Sequence, residues 1–181
     1  LNWGATKAEL TMSLPGDEVA SNPMYRSTRA VTIRAPVEDV WPWIAQIGQD
    51  RGGFYSYSWF ENMILADIHN ARTINPDWLV RREGELLPLT CPHYPLGLIK
   101  WKERSVGPRV RGFEPNQAMI LEGWGSFVLR PLGSGNTRFI IRDPTPPSPL
   151  LKRLLWQVFF EPGHFGMELE MIKGIRARAE G

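Results

Sequence analysis

His164-Phe165-Gly166-Met167-Glu168-Leu169-Glu170-Met171-Ile172-Lys173-Gly174-Ile175-Arg176-Ala177-Arg178-Ala179 is the stretch that decides the fold. Wound at about 100° per residue, it places Phe165, Met171, Ile172, Ile175 and Ala179 on one side, with Leu169 at the margin. Glu170, Lys173, Arg176 and Arg178 take the rest, and the late basic residues suit the negative end of a helix. A lone amphipathic helix at the end of a chain must bury its stripe against another layer, and the preceding sequence shows which.

That layer is β. Phe127 and Leu129 within Ser126–Arg130 are spaced to face Phe139 and Ile141 within Thr137–Arg142, across the loop Gly133-Ser134-Gly135-Asn136. Arg109–Phe113 and Ala118–Glu122 read as two more strands, separated at Pro115-Asn116. Leu98–Arg104 puts Ile99 and Trp101 on one face and Lys100, Lys102 and Arg104 on the other. Another short strand is expected near Glu85–Leu89, inside an otherwise irregular, proline-broken region. Asp143 to Pro149 holds four prolines and is expected to form neither helix nor central strand.

Upstream, Val31 and Ile33 alternate with Thr32 and Arg34, which is strand spacing over Ser27–Arg34. Pro36 then opens a helix whose stripe is Val37, Val40, Trp41, Ile44 and Ile47, with Pro42 expected to kink it and Gly48 to end it. After the glycine-hinged aromatic loop Asp50–Tyr57, Ser58-x-x-Glu61 is a capping box for a second short helix, Trp59–Ala66. Residues 1–27 read as an arm, with a capping box at Thr6-x-x-Glu9, and residues 28–181 as the domain. The expectation is an α+β protein: an antiparallel sheet, two short helices after its first strand, a closing helix, and a cavity where sheet and helix fail to meet.

Two residues break the apolar stripe of the closing helix. His164 and Glu168 are four apart, stack on one another, and fall on the inner face. A carboxylate there is costly unless paired. Either an arginine satisfies Glu168, or both side chains project into the cavity and orient a ligand's polar group, with proton transfer as a further option. Strand parity puts Arg142 on the face opposite Phe139 and Ile141, which makes it a weak partner for Glu168. Ahead of Pro162-Gly163, read as a break between two half-helices, Trp156 and Phe160 lie beside Lys152, Arg153 and Gln157. They mark a cavity rim, a protein contact or an interfacial membrane contact, or pack on the arm.

Composition narrows the field. The chain has 181 residues, 43% hydrophobic and 22% charged, and suits one globular domain. A net charge of +2 without a concentrated basic surface does not predict a nucleic-acid partner. Eight Trp supply large apolar surface for a core or a ligand cavity. The single cysteine, Cys91, excludes an intrachain disulfide framework and suits a reducing, cytoplasmic setting. No apolar run nears the roughly 18–20 residues of a membrane span, and no signal-peptide pattern opens the chain, which starts at Leu1. Cys91-x-His93, with His69 and His164 remote in sequence, is not a metal motif; no nucleophile elbow, phosphate loop or dinucleotide fingerprint is present, so no metal or cofactor is expected.

Several motifs together carry a family resemblance. They are Trp3-Gly4-Ala5-Thr6, Leu14-Pro15-Gly16-Asp17-Glu18, Ile33-x-Ala35-Pro36-x-x-x-Val40-Trp41-Pro42-Trp43, Arg51-Gly52-Gly53-Phe54-Tyr55-Ser56-Tyr57, Asp67-Ile68-His69 and Glu161-Pro162-Gly163-His164-Phe165-x-Met167-Glu168. Over nearly the whole chain these resemble an uncharacterised bacterial branch of the START-like (SRPBCC) superfamily, which includes polyketide cyclases, lipid-transfer domains and plant hormone and allergen proteins. The resemblance implies the helix-grip fold, a curved antiparallel sheet wrapped around a long C-terminal helix, with an apolar cavity between them. It does not imply one activity. Ser58 stands where that branch often carries Asp, which weakens a catalytic expectation but preserves the helix cap.

The leading expectation is a carrier or sensor that binds an apolar or aromatic small molecule, lipid- or polyketide-like. Phe54, Tyr57, Trp59, Trp101 and Phe165 would supply contact area, and His69, His164 and Glu168 would fix orientation. The alternatives are a cyclase- or dehydratase-type enzyme using His164 and Glu168, and a regulatory module contacting a protein or membrane through Trp156 and Phe160. The sequence names neither the ligand nor the oligomeric state.

Overall fold

Strand spacing at Val31 and Ile33 becomes β1, Tyr25–Ile33, in the computed structural model, which describes residues 1–20, 22–63, 65–92, 106–145, 147, 149 and 161–181. Before it stands the short helix α1, Lys7–Thr11, capped as expected by Thr6 and Glu9. After it come α2, Val37–Ala45, and α3, Ser58–Met63. Pro42 sits inside α2, where it has no N–H to donate, and the helix still continues to Ala45. Four strands follow: β2, Val110–Glu114; β3, Ala118–Leu121; β4, Gly125–Leu132; and β5, Asn136–Thr145. The last element is α4, Glu161–Ala179.

The five strands form one antiparallel sheet in the order β1-β5-β4-β3-β2. Phe127 pairs with Ile141 and Leu129 with Phe139, the facing expected from their spacing. Backbone bonds Leu87 N to Pro108 O and Leu89 N to Val106 O hold the extended segment near Glu85–Leu89 to the chain leading into β2. The expected strand Leu98–Arg104 lies outside the described residues, as does the helical stretch before Glu161 with Trp156 and Phe160.

β5 runs through Asp143 and Pro144 to Thr145; beyond Arg142 it pairs with β1 alone, so Pro144 disturbs no central ladder, in keeping with the expectation that this stretch forms no central strand. One expectation needs correction. Pro162 and Gly163 fall inside α4, so the described helix is not broken at these two residues; the half-helix expected before them lies outside the described residues.

Parity divides the sheet into two faces. The inner face presents Val31, Ile33, Phe127, Leu129, Phe139 and Ile141 to α2's Trp41 and Ile44 and α4's Met171, Ile172 and Ile175, all buried. The outer face buries Ala30, Ala118, Val128 and Ile140 beneath Leu14, with Ala5 and Met12 packed alongside. Arginines fasten this cover: Arg142 donates to Met12 O at 2.7 Å and Asp17 Oδ2 at 2.9 Å. Arg138 grips Glu9 at 2.7 Å, holding its carboxyl down to about 2. Trp3 N donates to Thr28 O and Trp3 O accepts from Ala30 N, so the arm also pairs with β1, the sheet's edge strand.

At its other end α4 is clamped to the aromatic loop. Arg178 lies 4.6 Å from the Tyr55 ring centroid, and Gly174 lets Tyr55 approach so closely that a Cβ there would sit 2.7 Å from Tyr55's own Cβ. By contrast, a Cβ at Gly166 on the same helix would meet nothing within 4 Å among the described residues. Gly166→Ala is therefore expected to raise stability by about 0.5–1 kcal/mol through helix propensity, and Gly174→Ala to lower it by about 1–3 kcal/mol through overpacking. Urea midpoints of the two variants, read with unchanged slopes, check the contrast.

Candidate functional site

β1 carries one inward residue that is charged. Arg29 shares the parity of Val31 and Ile33, sits opposite Ile141, and is 1% exposed. Above it α4 presents Glu168, 3% exposed, and Arg29 Nη1 donates to Glu168 Oε2 in a buried ion pair. Three residues earlier on α4, the Phe165 ring lies 5.2 Å from the guanidinium carbon. Asp143, two residues past Ile141 on β5, falls on the same inner face opposite Ser27.

A fourth polar group arrives from a turn. Trp124 stands between β3 and β4, where its N–H donates to Leu121 O, and the next residue, Gly125, takes φ +114°. A Cβ at Gly125 would lie 2.9 Å from the Arg142 carbonyl carbon, so only glycine closes this turn against β5. The indole packs with Phe127 at 5.3 Å, Phe54 at 5.9 Å and His164 at 6.4 Å between ring centroids.

The electrostatics follow from several acids in an apolar setting that face Arg29 and, through its pairing with Glu161 at 2.8 Å, the Leu1 ammonium. Burial pushes Glu168 up to about 7; Asp143's charge adds to this, while Arg29 and the nearby Trp124 indole oppose it. Burial likewise lifts Asp143 to about 6, with Glu161 adding and Arg29 opposing. His164 is lowered by burial and by Arg29, and so is held neutral. The ion pair does not satisfy everything. Arg29 Nε, Glu168 Oε1 and Trp124 Nε1 are buried without a well-formed hydrogen bond among the described residues. The indole is near enough to draw the Glu168 pKa down, but not aligned to bond.

Within α4, Glu168, Met171, Ile172 and Ile175 are buried, whereas His164, Phe165, Gly166 and Met167 are half-buried.

Of the residues expected to line a site, the structure brings Phe54, His164, Phe165 and Glu168 to this cluster. Tyr57 and Trp59 lie together on the surface, with rings 6.5 Å apart. His69 is exposed, its Nε2 3.0 Å from Asp67 Oδ1. Trp101 lies outside the described residues. Arg29, Trp124 and Asp143 were not anticipated. Arg29 was within reach of the strand parity already used for Val31, while Trp124, a ring at a turn between glycines, carries no local sign that it points inward. Also missed is Asn70, whose Oδ1 accepts from Phe54 N at 3.2 Å and Tyr55 N at 2.7 Å and shapes the aromatic loop.

Among the described residues no group of three or more His, Cys, Asp or Glu side chains is arranged to hold a metal ion, and no helix is long and apolar enough to cross a membrane. The pairing of Arg142 with the outer-face arm, not with Glu168, agrees with its parity. The outer groove of about 440 Å³ lined by Pro15, Asn116, Val128 and Arg130 is remote in the fold from this cluster.

A five-stranded antiparallel sheet, two short helices after its first strand, and a C-terminal helix across its inner face are now in place. The chain has a helix-grip fold. No protein-family model matches the sequence, and no curated protein matches it. Among solved structures, the helix-grip domain is similar to a Chromobacterium violaceum protein at 11% identity and TM-score 0.44, covering 86% of this chain and 97% of that one. It is similar to a Polyketide_cyc-like protein of Corynebacterium glutamicum at 17% identity and TM-score 0.34, over 85% and 86% of the two chains. A Thermus thermophilus protein is similar at 14% identity and TM-score 0.36, over 85% and 96%. Likenesses at this level say nothing of what the domain binds or does.

The cluster has two measurable consequences. Removing one partner of a buried pair strands the other, so Arg29→Met is expected to cost about 3–5 kcal/mol, most of it recovered in Arg29→Met/Glu168→Leu; chemical denaturation of the single and double variants tests this. The second concerns pH. Glu168 and Asp143 hold their protons more tightly when folded, so each contributes stability that is lost as pH rises towards its raised value. His164 acts oppositely, but only below its ordinary value of 6.5, where the unfolded chain takes up the proton. Between about pH 6.5 and 8 the urea midpoint should therefore fall, and the fall should largely disappear in Glu168→Gln.

Proposed function

We propose that this helix-grip domain binds an apolar small molecule whose single polar group is received by Arg29, Trp124 and Glu168 at the sheet–helix interface. The observation that carries the proposal is the convergence of three buried, unsatisfied polar atoms in one aromatic-walled place: Arg29 Nε, Trp124 Nε1 and Glu168 Oε1. A buried polar atom without a partner costs about 1–3 kcal/mol, and a ligand that satisfied several at once would gain affinity and orientation together. Phe54, Phe127 and Phe165 supply the apolar surroundings, and α4 is half-buried beside them. This supports a carrier or sensor.

One observation favours a second reading. Glu168, held at about 7 beside a neutral His164, is poised to exchange a proton near neutrality, as a cyclase- or dehydratase-type acid–base reaction requires. Binding is the simpler reading, because it needs no reacting atom placed at the carboxyl. The regulatory reading through Trp156 and Phe160 rests on residues outside those described.

Titration with the neutral fluorophore N-phenyl-1-naphthylamine tests the binding function. Saturable one-to-one binding with blue-shifted emission is expected, weakened about tenfold in Phe165→Ala, equivalent to about 1.4 kcal/mol of lost contact. Absence of saturable binding to the folded protein would overturn the proposal, as would unchanged affinity in a folded Phe165→Ala variant.

A further inference from the structure

We infer that the polar group this site accepts is an uncharged hydroxyl, as in a phenol or an alcohol, and that it discriminates against carboxylate ligands of the same shape. The inference rests on the binding function proposed above and names its ligand class.

Hydrogen-bond inventory gives the first half. The unsatisfied atoms are two donors, Arg29 Nε–H and Trp124 Nε1–H, and one acceptor, Glu168 Oε1. A hydroxyl offers one donor and two acceptor lone pairs, the complementary set. A carboxylate only accepts, so it would meet both donors and set its lone pairs against Glu168 Oε1. An ammonium only donates, and would leave both N–H groups unanswered while standing beside Arg29.

Charge gives the second half. Arg29 is already engaged by Glu168, and the Leu1 ammonium, the other cation acting on Glu168 and Asp143, is engaged by Glu161 at 2.8 Å. Asp143 on β5 and Glu161 on α4 lie close enough to perturb the same groups, and His164 is held neutral. Burial already raises Glu168 and Asp143 despite Arg29 and the Leu1 ammonium, so negative charge is poorly tolerated in this place. An anionic ligand would add another negative charge to a buried place with no cation to spare, whereas a neutral hydroxyl adds none.

Displacement of N-phenyl-1-naphthylamine by 2-naphthol and by 2-naphthoic acid, near-isosteric and measured at about pH 8 where the first is neutral and the second ionised, tests this. The wild-type protein is expected to bind 2-naphthol at least tenfold more tightly. Glu168→Gln leaves Arg29 without its anion, and should narrow that preference at least tenfold or reverse it. Asp143→Asn, which leaves the ion pair intact, should narrow it in the same direction and serves where Glu168→Gln does not fold. Equal or tighter binding of the naphthoate by wild type would overturn the inference, as would a preference unmoved in the folded variants. If the fluorophore binds and neither naphthalene competes, the hydroxyl assignment fails while apolar binding stands. If the fluorophore itself does not bind, the binding function fails first.

Discussion

A guanidinium and a carboxylate, both almost wholly removed from water, join β1 to α4, and much of the interior is arranged around that pair. Neither charge is tolerable there alone, so the helix must keep Glu168 over Arg29 and cannot turn or slide to improve its apolar contacts. A purely apolar helix–sheet interface would allow several rotations of similar energy, whereas an ion pair with fixed donors allows few. The pair therefore sets the register of α4 even though its net contribution to stability is small. It also brings Phe165 against the guanidinium, sets Asp143 and His164 in its field, and leaves Arg29 Nε and Glu168 Oε1 unanswered.

The rest of the fold holds this arrangement from both sides. On the outer face, Arg138 and Arg142 spend their charge on Glu9, Asp17 and carbonyls of the arm, which covers apolar positions that would otherwise face water. On the inner face, the loop after α2 is shaped by Asn70 and by Gln46, whose side chain donates to the Tyr55 hydroxyl at 3.0 Å. Burial of that hydroxyl pushes Tyr55 up to about 12, so it stays a neutral partner for Gln46 while Arg178 stacks on its ring. The result is a helix clamped to the aromatic loop at Gly174 and Arg178 and to β1 at Glu168.

Much of this was legible along the chain. The stripe of α4, the facing of Phe127 and Leu129 with Phe139 and Ile141, the capping box of α1 and the order of elements all follow from residue spacing, because helix and strand repeats are local properties of the backbone. That spacing also showed His164 and Glu168 to be misplaced among apolar neighbours. Strand parity turns Arg142 away from Glu168 and sets Arg29 on the inner face, but the packing of α4 over β1 is what brings Arg29 to Glu168, as the packing of the arm brings Arg142 to Asp17.

The sequence by itself thus determined which segments would be helix or strand, which faces would be apolar, and that a carboxylate would need an answer inside. The tertiary structure alone decided that Arg29 answers it, that Trp124 turns inward from a glycine-flanked turn, and that Asp143 shares the same cation. It also separated Tyr57, Trp59 and His69, at the surface, from Phe54 and His164, which meet at Trp124. The reason is physical. Periodicity reports which way a side chain points from its own element, whereas pairing, desolvation and proton affinity depend on which other element comes to face it, and that is settled only when the layers pack.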